Sequence, residues 1–148
     1  MPLEIRELSP DDYDAVHALW TICDGVGLSA SDSRPGICRF LERNPGLSFV
    51  AVSGGRIGGA VLAGHDGRRG LIHHLAVDPS LRRARIATRL VERCLDGLRR
   101  AGIDKCHVFV FSDNHAGRGF WAAFQATERI ELSMFSMPTE CDPSDRSA

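Results

Sequence analysis

Apolar positions recur along this chain in two rhythms. Residues 3–8, "LEIREL", alternate and predict a first strand. Ser9-Pro10-Asp11-Asp12 has the form of a helix start, with a cap, a proline at the first helical position and acids in the first turn. Tyr13, Val16, Leu19, Trp20 and Cys23 then return at helical spacing. A Gly-, Ser- and Asp-rich connection, "DGVGLSASDSRPG", leads to a short helix over Pro35 to Arg43 that stops at Asn44-Pro45-Gly46. "LSFVAV", "RIGGAVLAG" and "GLIHHLAV" predict three strands joined by tight turns at Gly54-Gly55 and Asp66-Gly67. Such turns imply antiparallel pairing.

From Leu81 to Ala101 the period becomes helical. Ile86, Leu90, Val91, Cys94, Leu95 and Leu98 share one face, Asp96 and Arg100 suit an i,i+4 ion pair, and Gly102 is the expected stop. "KCHVFVF" is apolar on both faces, which predicts a central strand covered on both sides. A strand, a helix and a buried strand make a βαβ unit. Asp113-Asn114 caps a short helix carrying Phe120, Trp121 and Phe124, and "RIELSMFS" reads as a last strand. The pattern predicts a mixed α/β (α+β) fold. Its sheet is mostly antiparallel, with helices on both faces.

Length and composition narrow the function classes. With 148 residues and no internal repeat or linker, the expectation is one domain over 1–138 and a frayed polar tail over 139–148. The net charge of −1 provides no global basic field for nucleic acid, so an anion site has to be local. No segment approaches a membrane span, and the N-terminus lacks the apolar core of a signal peptide. The five cysteines form no CxxC pair and no zinc-like spacing, so no metal site is expected, and buried free thiols fit a reduced, cytoplasmic compartment.

One local charge run stands out. "LRRARIATRL" follows the third strand of the meander and opens the long helix, bringing Arg82, Arg83, Arg85 and Arg89 to one helix start. Ligands of βα units favour the carboxyl end of the strand, where unpaired amides and the helix dipole meet an anion. Guanidinium groups there suit a pyrophosphate. Taken as charge alone, the run reads first as a solvated helix face.

The wider stretch "IHHLAVDPSLRRARIATRLVERCL" resembles the central motif of the GNAT superfamily of N-acetyltransferases, and "VFVFSDNHAGRGFWAAF" is similar to the family's next strand, asparagine and helix. The resemblance extends over nearly all of Leu3 to Met137. It implies direct acetyl transfer from acetyl-CoA to an amine in a ternary complex. Leu75, Ala76 and Val77 would pair with the pantetheine amides and aim an amide at the thioester oxygen. Arg82, Arg83, Ala84, Arg85, Ile86, Ala87 and Thr88 would cradle the pyrophosphate. Asn114 would hold the pantetheine arm, and Trp121 would line its channel.

Alternation sends His73 and His74 to opposite faces. His73 matches the position of a catalytic histidine in arylalkylamine acetyltransferases of the same superfamily and is the first candidate base; His74 is the second. Asp24 and Asp32, on the connection that borders the acceptor site in this family, are candidates to hold a cationic amine. Their alternative role is as turn and cap carboxylates.

Three positions depart from the family pattern. Arg85 stands where the family's loop has its central glycine, so its side chain either adds a phosphate contact or crowds the cradle. Trp121 replaces a tyrosine that often protonates the departing thiolate, and an indole is no acid. Gln125 stands at a glycine turn. A catalytically weakened acyl-CoA-binding or sensor module is therefore the alternative to an enzyme. The acceptor amine and the oligomeric state stay open, although homodimers are common among such small enzymes.

Overall fold

The computed structural model describes residues 2–82, 85–140 and 144. The chain divides into two units, Met1–Asp113 and Asn114–Ala148. The first carries a five-stranded sheet in the order β1 (Leu3–Glu7), β2 (Phe49–Ser53), β3 (Arg56–His65), β4 (Gly70–Val77), β5 (Cys106–Val108). Neighbours β1 to β4 pair antiparallel, and β4 with β5 is parallel. Helices α1 (Tyr13–Ile22) and α2 (Arg34–Arg43) lie between β1 and β2, and α3 (Ile86–Arg100) makes the crossover from β4 to β5.

Local chemistry explains these elements. Ser9 caps a 3-10 turn, Pro10–Asp12, and Asp12 bonds back to the Ser9 amide. Gly54 and Gly55 both take positive φ (58° and 76°), as a two-residue hairpin with the native twist requires. Strand alternation splits the core. Val50, Ala60, Leu62 and Ala76 pack with Val16, Leu19, Trp20 and Ile37 of α1 and α2. The alternate positions face α3, where a Cβ on Gly59 would come within 2.9 Å of Ile86 and 3.1 Å of Leu90. Ile86, Leu90, Val91, Cys94 and Leu98 are all buried, at about 1.5–3 kcal/mol for each large side chain.

Helix α3 ends as its glycine predicts. The Gly102 amide bonds Arg99 O and the Ile103 amide bonds Leu98 O, both at 3.0 Å, with Gly102 at φ 82°. Asp96 pairs with Arg99 at 2.6 Å, one residue short of the expected Arg100.

The structure corrects two strand expectations. "KCHVFVF" is not a central strand. Only Cys106–Val108 is in the sheet, it pairs with β4 alone among the described residues, and Phe109 and Phe111 are exposed. "RIELSMFS" forms no strand. Ile130, Leu132, Met134 and Phe135 are all exposed. In both segments an apolar pattern lacks the ladder partner that a strand requires.

The second unit contains α4 (His115–Ala123). Asn114 caps it, accepting from the Gly117 amide at 3.0 Å. A Cβ on Gly117 would come within 2.6 Å of the Asn114 amide nitrogen, so glycine there serves the cap. The helix closes with the same paired bonds as α3: Gln125 N to Ala122 O (3.1 Å) and Ala126 N to Trp121 O (2.9 Å). Gln125 takes φ 68°, the left-handed backbone that glycine adopts at Gly102.

Candidate active site

The site is organised around β4. Its register against β3 runs Ala60↔Ala76 on one side of a shift and Leu62↔His73 on the other. Two residues, His74 and Leu75, therefore oppose Val61 alone, which is a β-bulge. His74 takes φ 51°, an unusual backbone for a residue with a Cβ. The bulge breaks the alternation. His73 and His74 do not point to opposite faces; both line one cavity of about 440 Å³, with ring centroids 6.4 Å apart.

That cavity is closed by the connection between α1 and α2. Gly27, Ser29 and Asp32 line it from the connection, and Arg39 and Phe40 from α2. His73 meets Phe40 edge-on at 5.9 Å. Burial, reinforced by the neighbouring His74 and opposed by Asp32, pushes the His73 imidazole below its ordinary pKa and favours the neutral ring. His74 Nε2 lies 2.7 Å from Asp32 Oδ1. Trp20 of α1 packs edge-to-face on the His74 ring at 5.0 Å. The indole N–H of Trp20 is buried without a hydrogen-bond partner among the described residues, a cost of about 1–3 kcal/mol that its packing offsets.

Asp32 is held from three sides. Its Oδ2 accepts the Ser29 amide at 2.9 Å and its carbonyl accepts the Tyr13 hydroxyl at 2.6 Å, while Oδ1 meets His74. Both carboxylate oxygens are thus engaged within the chain, Oδ1 with His74 and Oδ2 with Ser29, while Asp32 also lines the cavity. The spacing Ser29-x-x-Asp32 is a reciprocal cap, and that signal was readable in the sequence. Asp24 is exposed in the turn after α1 and does not line the cavity.

The carboxyl end of β4 has a different character. Pairing with β5 covers only Gly70 to Ile72, so among the described residues the backbone of Leu75, Ala76 and Val77 has no strand partner on that side. Val77 O accepts from Cys23 Sγ at 3.4 Å and from Arg82 Nε at 3.3 Å. Asp78 caps a 3-10 turn, Pro79–Leu81, and its bonds to Ser80 hold its carboxyl below the usual range. Arg85 is the N-cap of α3, at φ 58° and ψ 27°, with no side-chain cap bond. The amides of Ile86, Ala87 and Thr88 fall in the first helical turn, where none has an intrahelical acceptor. Arg83 and Ala84 lie outside the described residues.

A family model described as Acetyltransferase (GNAT) family matches residues 13–125. The chain belongs to this acetyltransferase family. A curated acetyltransferase of Pectobacterium atrosepticum is 38% identical over 119 residues, which span 80% of this chain and 84% of that protein. The crystal structure of Ard1 from Thermoplasma volcanium superposes with a TM-score of 0.74 at 20% identity, covering 84% of this chain and 82% of that one. AAC(6')-Iy in complex with the bisubstrate analog CoA-S-monomethyl-acetylneamine superposes at 0.73 with 16% identity, covering 95% and 100%. These two structures share the mixed sheet and its helices. As a GNAT member the chain is an N-acetyltransferase enzyme.

Arg85, which the sequence resemblance sets opposite a loop glycine, takes a left-handed backbone of the kind glycine adopts readily. In the second unit, Asn114 spends its side-chain oxygen on capping α4. Trp121 is half-buried in a ring cluster with Phe120 (5.0 Å) and Phe124 (6.3 Å). Among the described residues no cluster of His, Cys, Asp or Glu is arranged to hold a metal, and no helix is long and apolar enough to cross a membrane.

Proposed function

We propose that this GNAT enzyme moves the acetyl group of acetyl-CoA to a primary amine by direct attack in a ternary complex. The observation that carries this reading is the two-ended character of β4: a histidine-lined cavity at its bulge, and free backbone beside a helix N-terminus at its carboxyl end. The residues present suit acetyl-CoA. The unpaired side of Leu75, Ala76 and Val77 offers amide hydrogen bonds to a pantetheine arm. The first-turn amides of Ile86, Ala87 and Thr88, with Arg82 and Arg85, offer donors and positive charge to a pyrophosphate. Arg83 and Ala84 complete that loop by resemblance, as Asn114 and Trp121 complete the pantetheine contacts. Bound there, the thioester supplies an activated acetyl carbon.

Direct transfer is supported by the lining of the cavity, which contains no cysteine. Cys94 is pushed by burial up to about 12, and burial also raises Cys23 and Cys106, so these thiols are poor nucleophiles. The proton of the amine goes to a histidine of the cavity, His73 or His74. Cytoplasmic location fits the free thiols.

The competing reading, an acyl-CoA-binding module without turnover, draws on Arg85 in its strained backbone and on Trp121 in place of the family's acid. Two measurements separate them. Calorimetry with acetyl-CoA gives a binding isotherm under both readings, and its absence at millimolar ligand overturns both. Thiol release over a panel of amines occurs only under the enzyme reading.

A further inference from the structure

We propose that Asp32 and His74 form a dyad in which His74 Nδ1 takes the proton of the acceptor amine and Asp32 positions the ring. This rests on the acetyltransferase reading above. Asp32 Oδ1 stands 2.7 Å from His74 Nε2, and the side chains are only 11% and 17% exposed. A carboxylate accepts only, so the neutral imidazole carries its proton on Nε2 and presents a lone pair at Nδ1. Among the described residues Nδ1 has no hydrogen-bond partner.

The surroundings show a ring held in place. Trp20 fixes its face, and Ser29 and Tyr13 fix Asp32. The strained φ of His74 is what brings its ring to the same cavity as His73. Strain of this kind, about 1–3 kcal/mol, persists only where surrounding contacts over-determine it. The charged and titratable groups around His74 are Asp32 on the connection, His73 on its own strand and Arg39 on α2. On α1, His17 meets Trp20 edge-on and Tyr13 bonds the Asp32 carbonyl. Asp32 is the only carboxylate among them. Among the described residues His73 has no such hydrogen-bonded carboxylate; its ring meets Phe40 and His74.

In the step itself the amine nitrogen bonds to the acetyl carbon and the carbon–sulfur bond breaks. Its electron pair leaves on sulfur, and the amine proton passes to Nδ1. Asp32 then faces an imidazolium across a hydrogen bond that is already made. The proton passes on to the thiolate or to water, which restores the neutral ring.

The test uses the full chain with acetyl-CoA and its best amine from the panel. His74→Ala should lower kcat by about 100-fold or more, the lower end of what a positioned base contributes. It should also lose the acid limb of the kcat–pH profile and recover rate with added imidazole. Asp32→Asn keeps the size of the side chain and one acceptor oxygen, enough for Nε2–H or for the Ser29 amide but not for both. It should lower kcat about 10-fold with KM for acetyl-CoA unchanged, and Asp32→Glu should recover part of the loss. The double variant should be no slower than His74→Ala alone. Retained kcat in His74→Ala overturns the dyad, as do losses that multiply in the double variant or an Asp32→Asn effect confined to KM. A wild-type chain that releases no thiol with any amine overturns the acetyltransferase reading itself.

Discussion

The two ends of β4 solve different problems. At the bulge, polar groups are buried and mutually bonded: Asp32 to His74, Ser29 and Tyr13, with Trp20 against the ring. At the carboxyl end the groups are left open. First-turn amides have no intrahelical acceptor, Arg85 is exposed, and its backbone is left-handed with no side-chain cap bond. Closed networks hold geometry, as a proton transfer requires, because an unmet buried polar group is costly. Open donors are what a polyanion requires, because each will be met by a phosphate oxygen. The same strand carries both because a bulge turns two successive side chains into the cavity without disturbing the ladder beyond it.

Substitutions can break this comparison at either end. The largest effect belongs to the closed end, where His74→Ala is expected to cost at least about 100-fold in kcat, or about 2.7 kcal/mol of transition-state stabilisation. At the core beneath the open end, Leu90→Ala should lower unfolding free energy by about 2–5 kcal/mol in denaturant titration, because Leu90 is fully buried against Gly59.

Arg85→Gly tests the open end directly. Relief of the left-handed backbone should raise stability by about 1 kcal/mol. Acetyl-CoA affinity should fall several-fold at low salt, since the exposed guanidinium is free to meet a phosphate, and the loss should fade at high salt. Tighter binding would show instead that the side chain crowds the cradle. Gln125→Gly relieves the same backbone cost at the end of α4, and Gly102→Gln imposes it at the end of α3. Each should shift stability by about 1 kcal/mol, in opposite directions.

The smallest effect is in pH. His73 is held below its ordinary value by burial, so the unfolded chain binds its proton first as pH falls. Stability should therefore decline from about pH 6.5 down to the depressed value and level off below it, and His73→Gln should remove that slope.

Much of the fold was legible. Ser9-Pro10, Gly54-Gly55, Asp66-Gly67 and Gly102 mark element ends by rules that act within a few residues, and the structure places a start, two turns and a stop there. The open end of the site was legible for the same reason: a strand, an arginine-rich loop and a helix start are consecutive in the chain. The closed end was not. Asp32 and His74 are 42 residues apart, and nothing local names Asp32 as a histidine's partner rather than an amine's. The opposite-face expectation for His73 and His74 failed because alternation assumes an unbroken ladder. "KCHVFVF" and "RIELSMFS" misled because an apolar pattern records what a strand would bury, while pairing depends on a neighbour that the pattern does not name.

The sequence alone determined the order of elements as far as α4, the βαβ unit, the family likeness and the residue types available at the site. These follow from periodicity, caps and turns, whose physics is local. Only the tertiary structure decided which side chains meet. The bulge opposite Val61 put both histidines in one cavity, and the fold of the α1–α2 connection delivered Asp32 to His74. Left-handed backbone at Gln125 was likewise decided by the helix it ends. A helix C-terminus sets the dihedral it needs, and the residue there bears the strain.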